Sequence, residues 1–272
     1  MTKDDLGLGL RLTQEAGWNH LESDWLRFIN LGLEDSFVGE LEGRAVGTTM
    51  TFISDHVAWV AMVLVEKESR GKGIGTALLK HALDFLEMRE IKTVRLDATH
   101  LGQPLYEKLG FLPEYEVARY KGIAPISTVE PSVTKVTPEM FADIIEFDRR
   151  MTGTHRAKML NALLKEFPEN LRVVMQDDNI EGFVTLHPGR NAIQIGPCTA
   201  TINAGPALLL DAMNRCAGEA VFVDVPTDNV HAVKMIEASG LEIQQRFLRM
   251  YRGERIKDNI NAIWASSGPE KG

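Results

Sequence analysis

The sequence predicts a mixed α/β protein made of two similar domains in tandem. The chain has 272 residues, and compact domains commonly hold about 100–150 residues each, so the length fits two of them. The same order of a strand hairpin, a buried strand, a helix, a second strand and a short helix occurs twice along the chain. A proline-containing segment separates the two copies and predicts a linker over residues 122–132.

The elements of the first copy follow from the spacing of its apolar residues. Apolar side chains recur every three or four positions over residues 13–31, which predicts a helix. Residues 57–65 are nine consecutive apolar residues rich in valine, which predicts a strand buried on both faces. The other predicted elements are a hairpin of residues 37–41 and 45–52, a helix over 76–89, a strand over 94–98, a short helix over 104–109 and a strand over 115–120.

The second copy repeats this order with different residues. Its predicted elements are a hairpin of residues 172–175 and 182–186, a strand over 192–195, a helix from Pro206, a strand over 221–225 and a short helix before Gly240. Matching positions are Gly47 and Gly182, Asp97 and Asp224, and Gly110 and Gly240, at separations of 135, 127 and 130 residues. Such steady offsets predict a duplicated fold, with domains over residues 1–121 and 133–253 and a C-terminal tail over 254–272.

The composition excludes several classes of protein. Apolar residues make up 44% of the chain and charged residues 25%, which is ordinary for a folded protein. No apolar run is long enough for a membrane helix and the N-terminus lacks the pattern of a signal peptide, so we expect a cytoplasmic protein with no membrane partner. The net charge of −8 disfavours nucleic acid, and the two cysteines show no zinc-like spacing, so we expect no metal site.

The turn of residues 70–76, Arg-Gly-Lys-Gly-Ile-Gly-Thr, carries the strongest functional signal. It lies between the buried strand and the next helix, and its three glycines let the backbone approach a ligand closely. N–H groups at a helix N-terminus bind phosphate well, so we expect a diphosphate there. The glycine spacing is neither that of a P-loop nor that of a Rossmann turn.

Two motifs make the first copy resemble a known family. Arg70-x-x-Gly73-x-Gly75 follows the buried strand, and Leu-Tyr-Glu-Lys-Leu-Gly-Phe follows later at residues 105–111. In this order they resemble motifs A and B of the GNAT N-acetyltransferases, over residues 10–121. The resemblance implies a splayed mixed sheet flanked by helices, with acetyl-coenzyme A bound in the gap. It also implies coenzyme contacts from Val63, Leu64, Val65, Arg70, Gly71, Lys72, Gly73, Ile74, Gly75, Thr76, Thr99 and Tyr106.

The same resemblance implies two catalytic roles. The backbone N–H of Val63 would polarise the thioester carbonyl, and the hydroxyl of Tyr106 would give a proton to the departing thiolate. Tyrosine rings also pack helices against sheets, so a packing role for Tyr106 stays open. Thr99 stands where many members of the family carry an asparagine.

The base that takes the proton of the substrate ammonium stays open. Some members of the family place histidines on the buried strand, where this chain has Trp59 and Ala61, and neither side chain accepts a proton. The remaining candidates are Glu22, Asp24, Asp97 and His100. We expect the acceptor amine near Trp18, Glu22, Asp24, His100, Asp148 and Arg156.

The second copy lacks both motifs. Its loop has residues 199–201, Thr-Ala-Thr, in place of the glycines, and Ile236 stands at the tyrosine position if Asn229 holds the asparagine position. This half resembles the non-catalytic C-terminal domain of tandem bacterial GNAT proteins. Asp148 and Arg156 would then line an acceptor cleft, or else lie on an exposed charged helix.

The sequence therefore predicts an acetyl-coenzyme A-dependent N-acetyltransferase that transfers an acetyl group directly to a small amine held between two domains. Only the first domain is expected to bind the coenzyme. Two alternatives stay open. One is a sensor that binds acyl-coenzyme A without turnover, and the other is an enzyme that acetylates protein lysines or N-termini.

Overall fold

The computed structural model describes residues 1–31 and 35–268. Within these ranges, twelve strands form one mixed sheet. The strands are β1 (Ser36–Leu41), β2 (Arg44–Ser54), β3 (Val57–Val65), β4 (Thr93–Ala98), β5 (Leu112–Ile123), β6 (Thr134–Lys135), β7 (Arg172–Gln176), β8 (Asn179–His187), β9 (Ile193–Ala200), β10 (Ala220–Pro226), β11 (Glu242–Gly253) and β12 (Ile263–Ala265). The helices are α1 (Leu6–Glu15), α2 (Glu22–Leu31), α3 (Ile74–Met88), α4 (Gln103–Lys108), α5 (Phe141–Thr152), α6 (Ala157–Glu166), α7 (Gly205–Arg215) and α8 (Val230–Ala238). The predicted class of two tandem mixed α/β units is confirmed.

The apolar core lies on both faces of the sheet. Alternate residues of a strand face opposite sides, so Trp59 and Ala61 pack with α1 and α2, whereas Ala58 and Val60 pack with α3. The second half repeats this arrangement, with α5 and α6 on one core and α7 and α8 on another. The long apolar run of β3 is therefore explained by burial on both faces.

The predicted helical region over residues 13–31 is not one continuous helix. The structure has two helices there, α1 and α2, separated by residues 16–21, which we call the α1–α2 loop. Gly17 adopts the left-handed conformation with a φ of 69°, and the Trp18 N–H donates back to the Thr13 carbonyl at 2.9 Å. A glycine in this conformation with such a bond is a common helix ending. The α1–α2 loop reaches the candidate site described below.

The sheet of the first half is splayed. Strands β3 and β4 pair in parallel only over residues 57–59 and 93–95, and they separate beyond Trp59. A β-bulge lies in the separated part, because Thr48 pairs with Leu64 whereas Met50 pairs with Ala61. Met62 in this bulge has a φ of 52°. The splayed sheet implied by the family resemblance is confirmed.

The two halves exchange their last strands. Strand β11 of the second half lies between β4 and β5, and β5 of the first half pairs on its other edge with β10. Both contacts are long antiparallel ladders, with Leu248 opposite Ala98 and Val223 opposite Tyr120 among their pairs. The sequence-predicted domain bounds remain a prediction. In the structure, each half of the sheet contains one strand from the other half of the chain.

A buried network of charged groups joins these central strands. The Arg249 guanidinium forms two hydrogen bonds with the Asp97 carboxylate, at 2.8 and 2.9 Å, and donates to the Tyr115 hydroxyl at 2.7 Å. That hydroxyl donates to Asp258 at 2.6 Å, and Arg95 donates twice to the same carboxylate, at 2.9 and 2.7 Å. Asp258 belongs to the segment predicted as a tail, which therefore joins the network.

The longest described helix, α3, has 15 residues, fewer than the roughly 20 that span a bilayer. Across residues 1–31 and 35–268, no helix is both long and apolar enough to cross a membrane. In those same ranges, no group of three or more His, Cys, Asp or Glu side chains is arranged to hold a metal ion.

Asp258→Asn should destabilise the fold in a pH-dependent way. Burial opposes ionisation, but Arg95 and Arg249 hold the pKa of Asp258 below its usual value. A lowered pKa stabilises the fold above about pH 4, and the benefit is lost as the pH falls through the folded-state pKa. We expect a loss of about 3–5 kcal/mol at pH 7, as for other broken buried pairs, and a smaller loss at a pH below the folded-state pKa of Asp258.

Urea unfolding of both proteins at the two pH values measures this difference. The exposed Asp228 offers a matched control, since Asp228→Asn should leave stability nearly unchanged. A loss of the same size at both pH values would show that the Asp258 charge does not stabilise the network.

Candidate active site

The gap between β3 and β4 opens into a cleft of about 1020 Å³, which we call the first cleft. The N-terminus of α3 and helix α4 border it. The sequence-predicted residues that line it are Trp18, Val63, Leu64, Val65, Arg70, Gly71, Gly73, Ile74, Gly75, Thr76, Thr99, His100 and Tyr106. The predicted residues that do not line it are Lys72, Glu22, Asp24, Asp148 and Arg156.

The glycine turn at the mouth of the cleft is shaped to receive an anion. Gly71 and Gly73 have φ values of 77° and 80°, a conformation that favours glycine. Gly73 is the N-cap of α3 and makes no side-chain cap hydrogen bond. The N–H groups of the first helical turn have no partner within the helix, so they and the helix dipole favour a phosphate here. The turn therefore fits the diphosphate of a coenzyme.

The bulge of β3 lies deeper in the same cleft. Thr48 donates its hydroxyl to the Met62 carbonyl at 2.8 Å, which fixes the bulge against β2. A bulge leaves its extra residue out of the strand ladder, so the backbone next to Val63 is the part of β3 that can bind a ligand. Val63, Leu64 and Val65 follow as the free edge that lines the cleft.

Tyr106 is held in the cleft by close packing. A Cβ atom on Gly102 would lie 2.8 Å from the Tyr106 ring, so the glycine makes room for it. The Phe111 ring contacts Tyr106 edge-on, with centroids 5.9 Å apart. Burial raises the pKa of Tyr106 to about 12, so the phenol stays protonated even well above neutral pH. Thr99 accepts the Gly102 N–H at 3.3 Å, which supports the same turn.

Three of the four candidate bases are either paired with an arginine or lie outside the first cleft. Asp97 lines the cleft but is held by two hydrogen bonds from Arg249. Asp24 is buried, and its carboxylate accepts hydrogen bonds from Arg27 and from the Leu21 N–H, both at 2.8 Å. Glu22 lies outside the cleft. His100 lines the cleft from an exposed position at its rim.

The α1–α2 loop brings His20 into the first cleft, and sequence reasoning missed it. His20 lines the cleft together with Trp18, and the neighbouring Asn19 fixes the loop on the second half of the chain. Asn19 donates to the Ala192 carbonyl at 2.9 Å and accepts from the N–H groups of Asn191 and Ala192 at 2.8 and 3.1 Å. The missed signal is Gly17, which ends α1 and turns the following residues toward the cleft.

Arg119, Gln245 and Phe247 also line the first cleft and were not predicted. They lie on β5 and β11, the two exchanged strands. Arg119 forms two 2.7 Å hydrogen bonds with the buried Asp224, and its guanidinium lies 5.5 Å from the Phe247 ring centroid. Strand exchange brings these residues to the cleft, and a local sequence pattern carries no sign of it.

Asp148 and Arg156 form a buried ion pair inside the second half. Arg156 donates to both Asp148 oxygens, at 3.0 and 2.7 Å, and Thr199 of β9 donates to the same carboxylate at 3.0 Å. Asp148 is fully buried. The structure therefore places this pair in the packing between α5 and β9 and away from the first cleft.

The second half has an equivalent gap, and the chain itself fills it. Strands β9 and β10 pair in parallel over residues 193–195 and 221–223, as β3 and β4 do. Beyond that point β12 lies on β9, with Ile263 opposite Thr199. The Ser266 N–H donates to the Asp224 carbonyl of β10 at 2.8 Å. We call residues 262–267 the C-terminal insert, because they enter the gap between β9 and β10.

Side chains of the second half complete this filling. A Cβ atom on Gly205 would lie 1.9 Å from the Trp264 ring, so the ring packs directly on the first turn of α7. Asn229 donates to the Ile263 carbonyl at 3.0 Å. The asparagine that matches the motif B position thus contacts the C-terminal insert.

A splayed cleft with a glycine turn at a helix N-terminus and a buried tyrosine is consistent with an acyltransferase. Family comparison agrees: residues 10–111 match the acetyltransferase (GNAT) family, and residues 144–265 match an acetyltransferase (GNAT) domain. Together these two matches cover most of the chain. The chain belongs to the GNAT acetyltransferase family and carries two tandem domains of that fold.

Individual relatives extend over the full length. The chain is 27% identical to the holothin acyltransferase of Pseudoalteromonas sp. (strain SANK 73390), over 99% of this chain and 87% of that protein. A solved structure of a candidate acetyltransferase from Pyrococcus horikoshii is 24% identical, with a TM-score of 0.84 over 100% of this chain and 94% of that one. A tandem GNAT protein from the clavulanic acid biosynthesis pathway is 14% identical, with a TM-score of 0.63 over 94% and 97%. These similarities support the fold along the whole chain.

Proposed function

We propose that the protein is an acetyl-coenzyme A-dependent N-acetyltransferase that acetylates a small amine in the first cleft. The observation that carries this proposal is the glycine turn, whose uncapped helix N-terminus opens into the gap between β3 and β4. An anion site at one end of a long cleft suits a diphosphate with an extended arm. The name of the holothin acyltransferase, a full-length relative, supports a small-molecule acceptor.

The residues of the first cleft divide into two groups by their position. The turn and the first residues of α3 would hold the diphosphate. The free edge of β3, Val63 to Val65, would pair with the amide groups of the arm, as one strand pairs with another. Lys72 is exposed beside the turn and would add only a solvated positive charge.

Two groups would act on the reacting atoms. Bound acetyl-coenzyme A would supply the acetyl group as a thioester. The Val63 N–H, displaced from the ladder by the bulge, would donate to the carbonyl oxygen as its negative charge grows. Tyr106, whose phenol is protonated at neutral pH as ordinary tyrosines are, would donate its proton to the sulfur as the carbon–sulfur bond breaks.

The acceptor would enter beside the α1–α2 loop. Trp18 and Phe247 line the cleft there and offer flat apolar surfaces to a small organic amine. The second half contributes by fixing that loop through Asn19 and by supplying Phe247. A cleft closed by two parts of the chain favours a small acceptor over an extended protein segment.

Gly75→Asp should abolish coenzyme binding while leaving the fold intact. A Cβ atom there would meet Val65 and Leu105 at 3.6 and 3.9 Å, which are ordinary contacts, but a carboxylate would repel the diphosphate. We expect calorimetric affinity for acetyl-coenzyme A to fall at least about tenfold, or about 1.4 kcal/mol. Gly7→Asp is the matched control, since Gly7 is also the second residue of a helix and is exposed. Undiminished affinity in Gly75→Asp would contradict the diphosphate site.

Tyr106→Phe should lower turnover and spare coenzyme binding. The ring keeps its packing, whereas the proton donor is lost, and general acid catalysis contributes about 10²- to 10⁴-fold. Coenzyme A release is measured with holothin, tyramine, tryptamine and spermidine as acceptors. Tyr251→Phe on β11 serves as control and should keep full turnover. Unchanged turnover in Tyr106→Phe would return Tyr106 to a packing role, and coenzyme binding without release for any amine would favour the sensor alternative.

A further inference from the structure

The acetyl transfer needs a base, because an alkyl amine is protonated at neutral pH. An alkyl ammonium loses its proton near pH 10, as a lysine does, and only the neutral amine has a lone pair for attack. The three carboxylates among the candidate bases do not meet this need. Asp97 and Asp24 are engaged by arginines, and Glu22 lies outside the first cleft.

His20 lies on the acceptor side of the first cleft. Trp18 packs against the apolar cluster that contains Ala61 and Met62, so the α1–α2 loop covers the bulged part of β3. His20, two residues further along, lines the same cleft as Val63 and Tyr106. The loop therefore brings an imidazole into the cleft that Val63 and Tyr106 also line.

Packing and hydrogen bonds hold the imidazole in place. The His20 ring lies 5.6 Å from the Trp18 ring and 5.9 Å from the Phe28 ring, measured between centroids. The next residue toward the N-terminus, Asn19, is anchored by three hydrogen bonds to the second half. A catalytic side chain needs this kind of restraint, since small displacements cost activity.

The first cleft holds several other titratable or charged groups besides His20. They are Glu15, Arg70, Asp97, His100, Tyr106 and Arg119. On α2, which carries the neighbouring Phe28, Asp24 and Arg27 pair with each other at 2.8 Å. Asp97 and Arg119 are likewise paired, with Arg249 and Asp224.

We propose that His20 is the general base for the acceptor amine, an assignment that rests on the proposed acetyltransferase function. A neutral imidazole nitrogen of His20 takes one proton from the substrate ammonium. The freed lone pair forms the carbon–nitrogen bond, and the carbon–sulfur bond breaks as the sulfur takes the Tyr106 proton. The nitrogen then releases its second proton to solvent to leave the neutral amide, and Tyr106 regains a proton from solvent. Histidine suits this role because a neutral imidazole nitrogen carries a lone pair that accepts a proton.

The pH profile of His20→Gln tests the assignment kinetically. With tyramine or another accepted alkyl amine, kcat/KM of the wild type should rise from acid to neutral pH as the base loses its proton, whereas the variant should lose this rise. The variant should be about 10²-fold or more slower at pH 7, and its deficit should shrink toward pH 10 as the amine loses its proton unaided. His56→Gln, at an exposed position outside the first cleft, should keep the wild-type profile.

Chemical labelling of the wild-type chain gives a second readout that needs no acceptor. Diethylpyrocarbonate modifies neutral imidazoles, and peptide mass spectrometry follows each histidine separately. Saturating acetyl-coenzyme A should slow the labelling of His20 by about tenfold or more, as a bound ligand shields its site. The exposed His56 and His231 should label at unchanged rates.

Either of two results would overturn the assignment. One is a His20→Gln profile parallel to that of the wild type, and the other is His20 labelling that bound acetyl-coenzyme A does not slow. A different result would contradict the proposed function itself, namely a wild-type chain that does not bind acetyl-coenzyme A or does not release coenzyme A with any amine. If binding and release both persist while His20→Gln behaves as the wild type does, only the base assignment is lost.

Discussion

The ion pair between Arg249 and Asp97 is the interaction on which the arrangement of the two halves depends. It joins β11 of the second half to β4 at the edge of the first cleft, and both side chains are almost fully buried. The Arg249 guanidinium also lies 4.7 Å from the Trp59 ring centroid. An unpaired charge here would be costly, so β11 and β4 must come together during folding. The first cleft therefore forms only when both halves are in place.

This constraint gives the second half a structural role in the first cleft. It supplies Phe247 to the wall of the first cleft, and it holds Asn19 and hence the α1–α2 loop. Its own gap is filled by the C-terminal insert, whose Trp264 is 1% exposed. The gap of the first half is therefore open, whereas the chain itself closes the corresponding gap of the second half.

The sequence determines the local elements clearly and the long-range pairing poorly. The apolar run of β3 predicts its bounds correctly, and Gly43 and the Asp177-Asp178 turn mark both hairpins, where positive φ values occur. The strand exchange has no local signal, because an apolar strand such as β5 pairs equally well with many neighbours. For the same reason the residues that reach the first cleft from β5 and β11 were missed. The C-terminal insert was predicted as a tail, since three strand residues are too few to give a pattern.

The turn motif was recognisable because its chemistry is local. Gly71 and Gly73 adopt a backbone conformation that few other residues adopt, so a short run of consecutive residues is enough to predict the turn. No local sequence pattern identifies His20, because the role of a single histidine depends on the residues that surround it in the fold. Gly17, which ends α1, is the one nearby residue that could have indicated a loop at this point.

The coenzyme stoichiometry of the intact chain tests the central claim most directly. Calorimetric titration with acetyl-coenzyme A should give one molecule bound per chain, because the glycine turn is open and the second gap is filled by the C-terminal insert. Two equivalent coenzyme sites per chain would contradict this account of the two halves.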